Sequence, residues 1–302
     1  MVELSSLHIL LTYQCLFECE HCFVWGSPKQ KGVFSLADLE QVYDQASTVP
    51  SIRSTYFEGG EPFLYYPLLL AGVRAAAARG LDVGIVTNGY WGTSVDDAVE
   101  WLRPMAGALT SISVSTDLLH YDEVVSSEAR NILAACEQLK IPVSTITCET
   151  PVEATDRPGR GRGEPVEGGA IMLRGRAVTS FADRSPGKPW DSFEECPFED
   201  LADPGRVHLD PIGNLHVCQG LVMGNLFEAP LDRILATYDP EADPVVAALL
   251  RGGPAELVRA HDVPHLATYG DACHLCYAAR EQLRERFPST LRPGQMYGDG
   301  LT

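Results

Sequence analysis

Short apolar runs alternate with amphipathic stretches through the first half of the chain. Leu7 to Thr12 is apolar and stops just before Cys15, and Ser35 to Ala46 opens on a serine suited to cap a helix and continues with Leu36, Leu39, Val42, Tyr43 and Ala46 at helical spacing. Ser54 to Phe57 runs into Gly59-Gly60-Glu61-Pro62 and then the apolar helix candidate Leu68 to Ala78. Val83 to Thr87 leads through Asn88-Gly89 to Val95 to Leu102, Ile112 to Ser115 leads through Asp117 to Ala129 to Leu139, and Val143 to Thr147 ends at Cys148. Repeated strand-then-helix units predict a parallel sheet covered by helices. Each predicted strand ends in residues able to do chemistry, as on the active rim of a (β/α) barrel.

The pattern breaks between Glu149 and Gly169, where Pro151, Pro158, Pro165 and several glycines mix with both signs of charge and no apolar face is offered. A mobile loop over residues 149–169 is expected there, able to close over a site. Ala170 to Val178 reads as a strand carrying Arg174 and Arg176. Val207 to Asp210, a Pro211-Ile212-Gly213-Asn214 turn and Leu215 to Cys218 read as a β-hairpin, followed by helical segments around Leu231 to Tyr238, Val245 to Leu250 and Tyr277 to Phe287. The expected fold class is α/β: a partial, TIM-like (β/α)6 barrel over residues 1–190, then a hairpin-and-helix appendage over 191–287 and a tail over 288–302.

Length agrees with that division, since 302 residues at roughly 150 per domain suggest two. No stretch approaches the ~18 uncharged apolar residues of a membrane span, and the Met1 region lacks the basic start and apolar run of a signal peptide. A cytoplasmic location is expected. With 41 acidic against 23 basic residues the formal charge is −18, which repels phosphate backbones and anionic membranes and argues against a nucleic-acid or membrane partner.

Nine cysteines in a reducing compartment point to metal ligation or catalysis rather than disulfides. Cys15, Cys19 and Cys22 offer three thiolates on the loop leaving the first strand. Three ligands on a cubane cluster leave one iron open to a small molecule, whereas four close the site. The Cys-x3-Cys-x2-Cys spacing resembles the defining motif of the radical S-adenosylmethionine (SAM) enzymes, and Gly59-Gly60-Glu61-Pro62 resembles that family's contact to the methionine amino group. The resemblance implies a 4Fe–4S cluster with SAM on its open iron, glycines that let backbone approach the ligand, and a Glu61 carboxylate suited to an ammonium. It further implies His21 flanking the adenine, and Ser113, Ser115 and Asp117 reaching the ribose or the substrate; Asn88 belongs with them on the rim. The alternatives are a zinc site or buried thiols for the cysteines, a common turn for Asn88-Gly89, and the polar side of a half-buried strand for Ser113 and Ser115.

Cys196, Cys218, Cys273 and Cys276 make a closed set of four, the last pair at the start of a helix whose N-terminus favours thiolate. Spacing does not separate iron–sulfur from zinc. The set resembles the twitch domain, a shortened SPASM domain, which implies a second, auxiliary 4Fe–4S cluster. Resemblance to the aminocyclitol dehydrogenases of this family implies a substrate-holding or proton-accepting role for Arg176. Cys136 reads as core, and Cys148 as a rim thiol able to donate a hydrogen atom or as an inert buried cysteine.

Together these features imply reductive cleavage of SAM, hydrogen abstraction from the substrate, and oxidation of a small sugar- or cyclitol-like molecule through the auxiliary cluster, with a flavodoxin- or ferredoxin-type reductant. An iron–sulfur motif beginning by residue 15 favours a small molecule over a peptide substrate. Peptide modification remains the other enzymatic reading, and a non-catalytic zinc or iron–sulfur scaffold the reading outside catalysis.

Overall fold

Six parallel strands and their crossover helices form the first half of the chain in a computed structural model that describes residues 2–150, 162–163 and 168–300. The order is β1 (Ser6–Thr12), α1 (Leu36–Ala46), β2 (Ser54–Gly59), α2 (Tyr66–Ala78), β3 (Asp82–Thr87), α3 (Val95–Leu102), β4 (Ser111–Ser115), α4 (Ser127–Leu139), β5 (Val143–Glu149) and β6 (Gly168–Ala170). Serine caps start three of the helices. At α1 the Ser35 hydroxyl accepts the Asp38 N–H at 3.1 Å while the Asp38 carboxylate accepts the Ser35 N–H at 2.8 Å, a reciprocal box that satisfies two otherwise orphaned donors. Ser94 and Ser126 cap α3 and α4 in the same way from one side.

The second half continues with α5 (Ala177–Phe181), β7 (Lys188–Pro189), β8 (Arg206–Leu209), β9 (Asn214–Cys218), β10 (Leu221–Asn225), α6 (Leu231–Thr237), α7 (Pro244–His261), β11 (Thr268–Tyr269) and α8 (Ala272–Leu283). The helix α7 is kinked where Gly252 and Gly253 leave helical geometry ahead of Pro254. The hairpin β8–β9 forms as its turn chemistry predicts, but it extends the barrel sheet itself: β8 pairs in parallel with β1, and the sheet runs β10-β9-β8-β1-β2-β3-β4-β5-β6. Among the described residues this sheet does not close. Its third antiparallel strand, β10, has no counterpart in the sequence reading.

One expected strand is absent. Ala170 to Val178 leaves the sheet at Ala170, turns at Gly175 (φ +61°) and enters α5. A Cβ on Gly175 would sit 2.5 Å from the Cys22 carbonyl oxygen, so this crossing is built around a glycine pressed on the first cysteine loop. The expected mobile loop of 149–169 lies mostly outside the described residues; of its ends, Glu149 belongs to β5 and Gly168 and Gly169 to β6.

Alternation sorts the sheet into two faces. Leu7, Ile9, Phe57, Val83, Ile85, Ile112 and Val114 are fully buried against the apolar stripes of α1 to α4, where Cys136 also packs. Burying each such large side chain is worth about 1.5–3 kcal/mol. The opposite face is polar: register aligns His208, His8, Tyr56, Gly84 and Ser111 across five strands, with Glu58, Ser113 and Ser144 one step along. Among the described residues no helix is long and apolar enough to cross a membrane.

Candidate iron–sulfur and S-adenosylmethionine site

The chain leaves β1 at Thr12, loops out and returns, with Cys15 N–H bonded to the Ser27 carbonyl at 3.1 Å and Phe34 N–H to the Leu11 carbonyl at 3.2 Å. Cys15, Cys19 and Cys22 all lie on this excursion. Backbone donors already point at two of the sulfurs: Phe17 N–H lies 3.3 Å from Cys15 Sγ and Gly26 N–H 3.1 Å from Cys22 Sγ. The Asn88 side-chain amide adds a third donor, 3.5 Å from Cys15 Sγ. Such donors stabilise sulfur as thiolate. Burial pushes the Cys15 thiol up to about 12 and Cys19 higher still, so holding these two sulfurs as thiolates takes a bound cation.

The Gly59-Gly60-Glu61-Pro62 segment sits against this loop, and the glycines make room for protein backbone. A Cβ on Gly60 would fall 2.0 Å from the Gln14 carbonyl oxygen, and one on Gly59 (φ +133°) 2.3 Å from that of Thr12. The closeness lets Gly60 N–H reach the Thr12 carbonyl at 2.7 Å and Glu61 N–H that of Gln14 at 2.9 Å. Glu61 itself is fully buried. Its carboxylate accepts the Phe63 N–H (3.0 Å), the Thr87 hydroxyl (2.9 Å) and the Asn88 N–H (2.8 Å), while burial pushes its pKa up to about 7. The carboxylate expected to meet an ammonium thus makes three contacts within the protein and fastens β2 to the end of β3. Pro62 fits the first position of the one-turn helix that Glu61 caps.

His21 and Asp117 fall on a second chain of contacts. Asp117 accepts the N–H groups of Leu119 (2.9 Å), His120 (3.1 Å) and Cys148 (2.9 Å) and pairs with His120 Nδ1 at 2.9 Å. Burial raises its pKa, but the His120 hydrogen bond and charge together with the backbone donors hold it at about 2. The His21 ring meets His120 edge-on at 4.7 Å, has no hydrogen-bond partner for Nδ1 among the described residues, and is pushed down to about 4 by burial, so it is neutral near pH 7. Cys148 packs against the small apolar cluster of Ile171, Leu173, Ala177 and Phe181, with burial pushing its thiol up to about 11. Ser113 and Ser115 stand half-buried on the polar face, Ser113 sharing a 3.1 Å hydrogen bond with Ser144. His120, Thr87 and Tyr121, whose hydroxyl donates to the Asn88 carbonyl at 2.7 Å, were missed from sequence. The spacing Asp117-x2-His120 was the available signal.

Arg176, expected from the resemblance to hold a substrate group or accept a proton, is bonded here to backbone carbonyls of the cysteine loop. Its guanidinium donates to the carbonyls of Cys19 and Gly26, both at 2.7 Å, and its N–H to that of Cys22 at 2.9 Å. Both terminal nitrogens are thus committed to holding the cysteine loop, over the Trp25 ring at 5.5 Å.

The second set converges from separate elements. Cys196 follows the turn at Trp190–Ser192, Cys218 ends β9, and Cys273 and Cys276 lie in the first turns of α8, capped by Asp271, which accepts the His274 N–H at 2.7 Å. All four line one pocket, together with Arg174, Glu199 and Arg280. Arg280, one helical turn past Cys276, is 2 % exposed, and Arg174 bonds Glu199 at 3.3 Å and reaches Cys218 Sγ at 3.9 Å. Two buried guanidiniums beside four thiols fit a dianionic tetrathiolate centre. Around a single zinc the sulfurs would stand about 3.8 Å apart, given Zn–S bonds near 2.3 Å. Among the described residues no three cysteine sulfurs come within 4.8 Å of one another, and the groups that meet that spacing are His8–Glu58–His208 and His21–Asp117–His120.

A parallel α/β sheet with three cysteines at the mouth of its first strand defines a class, and residues 9–149 match the model of the radical SAM superfamily. The domain they build belongs to that superfamily, which implies a 4Fe–4S cluster and SAM. YydG of Bacillus subtilis (strain 168), a protein named for peptide biosynthesis, is 26% identical over 130 residues, 43% of this chain and 41% of that protein. An S-adenosylmethionine-dependent nucleotide dehydratase of Psychrobacter lutiphocae is 32% identical over 119 residues, 35% of this chain and 38% of that protein. The chain thus spans about two-fifths of the length of these curated relatives. Among solved structures, BtrN in complex with AdoMet and 2-DOIA aligns at 15% identity and TM-score 0.46, covering 77% of this chain and 82% of that one.

Proposed function

We propose that the chain is a radical SAM enzyme that oxidises a hydroxyl-bearing small molecule of sugar or cyclitol type, with a second iron–sulfur cluster accepting the electron. The observation that carries the reading is the convergence of Cys196, Cys218, Cys273 and Cys276 on one cavity beside buried Arg174 and Arg280. Cys15, Cys19 and Cys22 would hold a 4Fe–4S cluster, which when bound would supply the electron for reductive cleavage of SAM. The protein's own part is orientation. Arg176 holds the cysteine loop, Asn88 donates to Cys15, Glu61 locks the loop that approaches them, and the His21–His120 pair offers a neutral ring edge for the adenine. Asp117, kept ionised by His120 and its backbone donors, fixes the rim at the ends of β4 and β5. Oxidising a carbinol sends one hydrogen atom to the deoxyadenosyl group, one proton from the hydroxyl, and one electron to an acceptor. A four-cysteine centre has no open position, which suits the electron alone. The serine hydroxyls of β4 and β5 on the polar face suit a polyol.

A peptide substrate is the second reading, favoured by the name of YydG. The first electron would come from a flavodoxin- or ferredoxin-type protein in the cytoplasm. Anaerobic reconstitution should give about eight irons per chain and 5′-deoxyadenosine with dithionite and SAM. Cys196→Ala/Cys218→Ala should then lose product while still forming 5′-deoxyadenosine. Four irons with one zinc would remove the oxidation reading, and no SAM cleavage would leave a scaffold. Product from a precursor peptide but from no polyol would transfer the reading to peptides.

A further inference from the structure

The polar face of the sheet carries a group that neither cysteine set uses. His8 on β1 and His208 on β8 are direct partners across the parallel ladder, and Glu58 on β2 stands in register with Leu10, two residues along β1 from His8. All three side chains therefore share one face. His8 Nδ1 contacts one oxygen of the Glu58 carboxylate, His208 Nε2 lies 3.7 Å from the other, and one ligand atom from each residue falls within 4.8 Å of the rest. The side chains are 7 %, 13 % and 9 % exposed for His8, Glu58 and His208. Tyr56 stacks on His8 at 4.9 Å and Phe23 meets His208 edge-on at 6.0 Å, which fixes the ring planes. Among the described residues Glu58 accepts a hydrogen bond from His8 alone. The other group of this kind, His21–Asp117–His120, differs: its carboxylate is filled by three backbone donors and it belongs to the first site.

We infer that His8, Glu58 and His208 form a mononuclear site for a divalent transition ion of the zinc, iron(II) and manganese(II) class, distinct from both cysteine centres. Two imidazoles and one carboxylate are a borderline donor set that selects this class over calcium or magnesium, which take oxygen alone. Three neighbouring strands supply one ligand each, so the rigid sheet holds the set ready. Arg206 and Arg174, whose charges are felt at His208, share Glu199 at 3.3 Å each, which offsets much of their repulsion for an incoming cation. Three protein ligands leave positions for water or an oxygen of a substrate.

The site is independent of the radical reaction, and its test reads binding, not turnover. Holoprotein with oxidised, EPR-silent clusters is titrated with Mn²⁺ alone while the six-line signal of the free ion is followed. One Mn²⁺ per chain should leave the free pool and be displaced by Zn²⁺, and Glu58→Gln should weaken it by at least about tenfold with iron content unchanged. Pulsed EPR of the bound ion should show nitrogen coupling from imidazole, a readout that holds even where a variant does not fold. Absence of saturable Mn²⁺ uptake, uptake equal in Glu58→Gln and His208→Ala, or bound Mn²⁺ without nitrogen coupling would overturn the site.

Discussion

Glu61 is a carboxylate whose three donors all come from protein. Glu61→Gln keeps its shape but turns an NH2 toward a buried N–H or hydroxyl, which should cost about 1–3 kcal/mol of stability. The folded protein holds this carboxyl at a raised pKa of about 7, so it binds a proton that the unfolded chain has already lost. Stability from the native carboxyl is therefore greatest below the unfolded value and falls as pH rises through the folded one. The advantage of Glu61 over Gln, measured by urea unfolding, should narrow between about pH 5 and about pH 8; an advantage constant with pH would mean an unshifted carboxyl. Arg176 gives a sharper residue-scale test. Arg176→Met removes two short hydrogen bonds from a charged group, about 1.5–3 kcal/mol each. It should lower iron uptake at the first site and SAM cleavage together. Normal iron content and normal 5′-deoxyadenosine with lost product would instead restore the catalytic role expected from sequence.

Close approach between elements explains why the end of β2 carries its glycines. Gly60→Ala would drive a methyl to 2.0 Å from the Gln14 carbonyl, which only separation of β2 from the cysteine loop can relieve. Gly80, at φ +78°, has nothing within 4 Å of its Cβ position, so Gly80→Ala should cost only the left-handed strain, about 1–2 kcal/mol. Gly80→Ala should thus bind iron normally and melt slightly lower, whereas Gly60→Ala should fail to retain the first cluster; equal iron content in the two would refute the close-approach argument. At this scale the sequence was legible where local rules decide. Capped helices such as α1 and the strands β1 to β5 follow from periodicity and serine caps. It was not legible where a distant partner decides: Arg174 and Arg176 alternate as on a strand, yet each is drawn to its own set of carbonyls or carboxylates. Likewise the grouping of seven cysteines into two sets was visible, but that Glu61 faces inward depends on Thr87 and Asn88, which spacing does not reveal.

The two halves are joined by more than chain connectivity. Gly205 accepts the N–H groups of Ser5 and Ser6 at 2.7 and 3.1 Å, β8 covers the edge of β1, and one apolar core runs from Val2 to Leu291. Residues beyond 288, expected only as a tail, add Gln295 Nε2 donating to the Val24 carbonyl at 2.8 Å and Tyr297 donating to that of Gly220 at 2.9 Å. The two cysteine sets thus sit on one sheet, and unfolding either half strips core from the other. Trp91, packed on Phe63 at 4.2 Å, and Trp190, packed on His265 at 4.1 Å, report on the two halves separately. Single-tryptophan variants keeping one or the other should unfold in urea with the same midpoint, and a chain ended at residue 190, with the β1 edge bare, should not fold. Two separated midpoints, or a folded 1–190 fragment, would mean that the cysteine centres sit on independent domains and that the shared sheet contributes little to their coupling.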